Sequence, residues 1–180
     1  MTTTVTNGFM DVVKRLEPVL RENAALADAE RNLPTAAMAA MVEAGIFRTW
    51  MPRAFGGLEM APTPAIQLFE ELARIDSAAG WIASNSCAIT PLCSTGATIT
   101  PEQGIPVQLA TCHAIEAAGK AVDLVHTAVG TTGIRNEHRF QQYFRDVHTV
   151  SQHGSGSPER FESVGKLLLG KKSDWGFFYV

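Results

Sequence analysis

Leu109-Ala-Thr-Cys-His-Ala-Ile-Glu-Ala-Ala-Gly-Lys-Ala-Val-Asp-Leu-Val-His-Thr-Ala-Val129 is the stretch whose reading decides the fold class. Leu109, Ala110, His113, Ala114, Ala117, Ala118, Ala121, Val122, Val125 and Val129 recur at helical spacing. The many alanines and Gly119 predict a close helix–helix approach. Gly130-Thr-Thr-Gly133 breaks this helix. A second follows over residues 137–150, with Phe140, Phe144 and Val147 on one face. Residues 154–157 form a turn, and Ser157-Pro158-Glu159 opens a last helix that ends at Gly170. The tail from Trp175 to Val180 is strongly apolar, which predicts docking, because a terminus frays unless something holds it.

Toward the N-terminus the same period returns. Val12, Val13, Leu16, Val19, Leu20 and Ala27 form one stripe across residues 9–31, where Pro18 predicts a kink or a late start. Pro34 suits the first turn of a second helix with Met38, Met41 and Val42 inward, and Gly45 suits its end. An apolar loop closed by Gly56-Gly57 leads to Thr63-Pro64, the expected start of a third helix with Ile66, Phe69, Leu72 and Ala73 inward. Asp76-Ser77 reads as a fresh cap for a fourth helix that passes Trp81 and Ile82 and stops at Pro91. Over residues 90–106, Pro91, Pro101 and Pro106 with Gly96 and Gly104 leave no apolar period. Thr100-Pro-Glu-Gln103 has the form of a capping box, expected to open only a short turn. No segment alternates with the period of a half-buried strand. The expectation is an all-α helical bundle of about seven helices, with an N-terminal lobe (1–92), a junction (93–106) and a C-terminal lobe (107–180).

Composition narrows the function classes. Fifteen basic against eighteen acidic residues give a net charge of −3, and no basic run offers a nucleic acid a phosphate footprint. No stretch reaches the ~18 apolar residues of a membrane span. Cys87, Cys93 and Cys112 lack C-x-x-C spacing and read as buried thiols of a reducing compartment. The first residues lack the basic and apolar regions of a signal peptide, so a cytoplasmic location is the default. His126 and His138 have no partner at metal-ligand spacing, so no metal is expected.

Two stretches together resemble a known family. Leu33–Arg48, Met51-Pro-Arg-Ala-Phe-Gly-Gly57 and Glu70-Glu-Leu-Ala-Arg-Ile-Asp-Ser-Ala-Ala-Gly-Trp81 resemble the N-terminal helical domain of acyl-CoA dehydrogenases and their flavin-dependent monooxygenase cousins. Ala121–Thr132 and Phe144-Arg-Asp-Val-His-Thr-Val-Ser-Gln-His153 resemble the C-terminal helical domain of the two-component monooxygenase branch, which includes 4-hydroxyphenylacetate hydroxylases and desulfurisation monooxygenases. Family members place a β-rich domain and further helices between these stretches, where this chain has a short seam. The resemblance implies an all-α pair of lobes from the acyl-CoA-dehydrogenase fold. It also implies a flavin-dependent oxidoreductase acting on a small aromatic or heterocyclic substrate, with reduced FMN or FAD supplied by a separate reductase. Acyl-CoA dehydrogenase is the nearest alternative; a non-catalytic helical remnant that oligomerises is the rival from another class.

In the resembled enzymes the flavin carries the oxygen chemistry, and the protein orients it, excludes water and places an acid/base group. By position in the motif, the resemblance implies that His153, with His148 five residues before it, is catalytic. A histidine suits that task because it titrates near neutrality. Gly130, Thr131 and Thr132, with Arg145, are the implied cofactor-binding residues, since free N–H groups beside hydroxyls hold a phosphate or ring oxygen. Trp81, Ser84 and Asn85 are the implied substrate-lining residues. A homo-oligomer is expected, joined through the C-terminal helices.

Overall fold

A computed structural model describes residues 3–95, 100–135 and 138–176. Among the described residues there are seven α-helices, three short 3-10 turns and no strand, so the chain is all-α as expected. The chain divides into two compact units, Met1–Ala97 and Thr98–Val180.

In the first unit, α1 (Thr3–Glu30) and α2 (Thr35–Glu43) are followed by two 3-10 turns, Ile46–Arg48 and Arg53–Phe55. Then come α3 (Pro62–Ile75) and α4 (Ser77–Thr95). Phe9, Val13, Leu16 and Leu20 line one face of α1; Ala65, Leu68, Phe69, Leu72 and Ile75 line one face of α3. They join Ala37, Met41, Ile46, Ala79, Ala83 and Cys87 in a single core. Each fully buried leucine there adds roughly 1.5–3 kcal/mol.

Four expectations need correction here. Helix α1 starts well before Pro18 and runs through it. A proline removes one helical N–H, and the buried Val13, Leu16 and Leu20 around it hold the helix together regardless. Ile66 is 56% exposed and Val42 59%, because their neighbours Ala65 and Met41 take the inward register. Helix α4 extends past Pro91, to Thr95. Asp76 does cap α4: it is buried, and the Ala79 N–H donates to its Oδ1 at 2.9 Å.

Two glycines set close approaches. A Cβ at Gly80 would lie 2.5 Å from the Cβ of Ala73 and 2.7 Å from its Cα, so α3 and α4 approach as closely as they do only with glycine there. A Cβ at Gly57 would sit 1.8 Å from the Met51 carbonyl oxygen. There the loop doubles back, and the Leu58 and Met60 N–H groups donate to the carbonyls of Arg48 and Thr49 at 2.8 and 2.9 Å.

The second unit is built on α5 (Pro101–Val129), followed by the 3-10 turn Gly130–Ile134, α6 (Phe140–Ser151) and α7 (Glu159–Leu168). Thr100 and Gln103 form the capping box, with the Thr100 N–H donating to Gln103 Oε1 at 3.1 Å. Helix α5 therefore begins inside the expected junction and continues through Gly104 and Pro106. A proline in the second turn costs one hydrogen bond near an end where several N–H groups lack helical partners anyway.

The inner stripe of α5 is Gln108 and Cys112, both buried, with the half-buried Ile115, Gly119, Val122 and His126. The alanine-rich stripe, Ala110, Ala114, Ala117 and Ala121, faces outward and is exposed, as is Leu124 at 73%. The expected close approach through the alanines is thus not made within this unit. Cys87 and Cys112 are buried free thiols as expected, and the side chain of Cys93 lies outside the described residues. Trp175 is half-buried against its own unit, beside Gln108 and Arg160; residues 177–180 lie outside the described residues. No helix among the described residues is long and apolar enough to cross a membrane.

Candidate functional site

Helices α5 and α6 pack along a row of rings. His126 on α5 lies 4.6 Å, centroid to centroid, from Phe144 on α6 and 6.1 Å from Phe140. Phe144 in turn lies 4.3 Å from His148, one turn further along α6. His148 Nδ1 is 2.8 Å from the Phe144 carbonyl oxygen, and its Nε2 is 3.3 Å from Asp123 Oδ1 on α5. Both ring nitrogens face acceptors, so only the imidazolium donates to both at once. His148 therefore fastens α6 to α5.

At the end of this row, where α5 gives way to the 3-10 turn, lies an open pocket of about 220 Å³. His126, Gly133, Ile134, Gln141, Phe144 and Arg145 line it. Gly133 is buried, and a Cβ on it would come within 2.7 Å of Val129 and 3.1 Å of Phe140. Arg145 is exposed, and its Nε donates to Gln141 Oε1 at 3.0 Å, so the guanidinium lies along the pocket wall. The pocket thus combines a charged donor with aromatic faces, a pairing suited to an anion that carries a ring or lies beside one.

Of the expected cofactor residues, Arg145 lines this pocket. Gly130, Thr131 and Thr132 belong to the same 3-10 turn but are not among the lining residues, and all three are exposed. His153 lies past the other end of α6 and is exposed. The twelve residues of α6 span about 18 Å between the two places. The structure therefore brings Arg145 to the 3-10 turn and leaves His153 outside that pocket.

His153 sits in the loop between α6 and α7. Its Nδ1 accepts the Ser155 N–H at 3.3 Å, and its carbonyl accepts the Gly156 N–H at 2.9 Å. In the first unit, Trp81 is 40% exposed on α4. Ser84 Oγ and Asn85 Nδ2 both donate to the Trp81 carbonyl at 3.0 Å, so their polar groups fold back on their own helix.

Sequence reasoning did not single out Gln108, Gln141 or Phe144 as site residues. Gln108 had a signal, a polar residue in register with Cys112 and Ile115 on a helix face that otherwise buries apolar groups. Among the described residues no group of three or more His, Cys, Asp or Glu could hold a metal ion.

The family "Acyl-CoA dehydrogenase, C-terminal domain" matches residues 35–158, and the chain belongs to it. The match takes in α2 to α4 as well as α5 and α6. A curated relative, indole-3-acetate monooxygenase of Pseudomonas putida, is 33% identical over 57 residues, which is 32% of this chain and 15% of the relative. The aligned part therefore spans a small fraction of that enzyme's length. No solved structure matches.

Proposed function

We propose that this chain works as part of a flavin-dependent oxidoreductase of the monooxygenase kind, acting on a small aromatic or heterocyclic substrate with reduced FMN or FAD from a separate reductase. Family membership supports the flavin, and the name of the relative supports the monooxygenase branch. The observation that carries the reading is the pocket in which Arg145 and Gln141 meet the rings of His126 and Phe144. Its volume of about 220 Å³ lies below the ~300–1,000 Å³ of complete small-molecule sites. The residues present thus fit a phosphate tail or one edge of the ring system, and the remaining walls must come from elsewhere.

The flavin, when bound, supplies the oxygen-transfer chemistry. Arg145 holds an anionic group at the pocket wall, with Gln141 accepting from its Nε. The His126 and Phe144 rings cover one apolar side and keep water from it. His153 stands outside this pocket, about 18 Å off at the far end of α6; with Nδ1 occupied it holds a proton at Nε2, and it serves the flavin ring only when Arg145 holds the phosphate end.

The test is a titration of the full chain with FMN and with FAD, followed by flavin absorbance and fluorescence. Saturable binding that weakens about tenfold in Arg145→Ala, the loss of one charge-assisted contact, is the expected result. Lack of saturable binding to either flavin defeats the reading. His153→Ala is expected to lower product formed per reduced flavin and to leave flavin affinity unchanged.

The exposed outer face of α5 favours a second reading, a helical unit that self-associates without turning over substrate. A defined oligomer in sedimentation, from a chain that binds no flavin, supports it. A monomer at every concentration removes it.

A further inference from the structure

We infer that Gln108 is a positioning residue that sets which nitrogen of His153 carries the proton. The catalytic meaning of that proton rests on the reading of His153 given above; the geometry does not.

The relay starts at Trp175. The Arg160 guanidinium lies 4.1 Å over its ring, and the Trp175 backbone N–H donates to Ser173 Oγ at 3.1 Å. So held, the indole Nε1–H donates to Gln108 Oε1 at 3.2 Å. An indole N–H can only donate, so the side of the Gln108 amide that faces it must be the oxygen. The other side must then be the NH2 group, and its Nε2 donates to the Ser155 carbonyl at 2.6 Å and to Cys112 Sγ at 3.3 Å. The reverse orientation of the amide would set NH2 against N–H and oxygen against oxygen, so a single orientation satisfies both neighbours.

Gln108 is buried, where a lost hydrogen bond is most costly. Ser155 is anchored by its carbonyl on α5, and the close fit of Gly156 beside Ile115 keeps the loop there. The anchored Ser155 presents its backbone N–H to His153 Nδ1 at 3.3 Å. A backbone N–H cannot accept, so neutral His153 carries its proton on Nε2. A polar residue on an inner helix face thus decides whether an exposed imidazole on a loop acts as a donor or as a base through its Nε2.

The experiment uses the full chain without flavin, labelled with ¹⁵N-histidine and read by long-range proton–nitrogen correlation at about pH 8.5, well above the ordinary histidine value of about 6.5. His153→Gln identifies the His153 signals. Wild type is expected to show the Nε2–H pattern. Gln108→Leu removes all three contacts, and Gln108→Glu keeps the acceptor for Trp175 but turns a carboxylate on the Ser155 carbonyl. Each is expected to raise the Nδ1–H fraction roughly threefold or more, the scale of one lost net hydrogen bond. Trp175→Phe keeps a ring under Arg160 and frees the amide to turn, for a smaller shift in the same direction.

An Nδ1–H pattern in wild type overturns the inference. So does an unchanged His153 pattern in Gln108→Leu with wild-type helicity by circular dichroism. If Gln108→Leu does not fold, Trp175→Phe decides, and an unchanged pattern there overturns the inference equally. Because no flavin is present, failure of flavin binding does not touch this result, and failure of the relay leaves the flavin titration standing.

Discussion

Residues 1–97 and residues 98–180 use similar helices to different ends. In the first unit, α1, α3 and α4 each turn an apolar stripe onto the same core, where Leu20, Ala37, Met41, Ile46, Ala65 and Leu72 are at most 1% exposed. In the second unit the buried apolar side chains among the described residues are Cys112 and Val164, and the rest of the interior is polar: Gln108, Ser163 and Ser173. Val107, Leu124, Val125, Val129, Ile134, Leu168 and Leu169 stay exposed there. The first unit is held by burial. The second is held along one face of one long helix, by ring contacts, the Gln108 relay and the ion pairs of α7.

The contrast is between an apolar interior and a largely polar one. In the second unit Gln108, Ser163 and Ser173 are buried, while His126 is half-buried and Arg145 and His153 are exposed. Its long helix α5 also leaves Leu124, Val125 and Val129 exposed.

The comparison can be broken most directly in the two cores. Leu72→Ala in the first unit is expected to cost about 2–5 kcal/mol, with the loss of hydrogen-exchange protection confined to residues 1–97. Val164→Ala, its counterpart in the second, removes two buried methyl groups and should cost about 1.5 kcal/mol. Equal costs would end the contrast. A smaller effect sharpens the picture of the first unit. Asp76→Ala strips α4 of its cap and should cost about 1 kcal/mol in chemical denaturation, whereas Asp76→Asn keeps an acceptor and should cost less.

The smallest effect belongs to the second unit and depends on pH. Asp174 Oδ2 lies 2.9 Å from Lys166 Nζ, and its Oδ1 accepts the Ser163 hydroxyl at 2.8 Å. Lys166, then Ser163, hold the Asp174 carboxyl down from 3.8 to about 2. A depressed carboxylate stabilises the fold above its unfolded value near 3.8 and loses that contribution as pH falls through about 2. Asp174 is exposed and Lys166 half-buried, so solvent screens the pair and the effect is slight. Thermal melts of the wild type between about pH 4 and pH 2 should drop more steeply than those of Asp174→Asn, with the difference in residues 98–180. Parallel curves would show that the ion pair does not hold α7.

Much of the fold was legible in the residues. The Asp76 cap and the Thr100–Gln103 box are local signals, because a side chain that reaches its own helix start needs nothing from the rest of the chain. Pro18, Pro91 and Pro106 misled for the converse reason. Each carries a local penalty of one lost hydrogen bond, and packing elsewhere decides whether the helix tolerates it. Ile66 and Val42 read as inward because an apolar stripe wider than one register does not say which edge is buried.

Part of the candidate pocket's lining was legible. Arg145 and the Gly130–Ile134 turn stand out by motif, and the structure brings Arg145 to Gly133 in one pocket. His148 and His153 share that motif, yet one fastens two helices and the other stands on a loop held by Gln108. No spacing rule links residues 108, 155 and 175, since what joins them is the return of the chain onto α5.

The amino-acid sequence by itself determined the helical class, the capped starts of α4 and α5, and the family to which the chain belongs. Those follow from periodicity and from bonds between residues a few positions apart. Which face of α5 is covered, which end of α6 carries the pocket, and which nitrogen of His153 holds the proton were decided only by tertiary structure. Each depends on groups distant along the chain, and their meeting is fixed by packing.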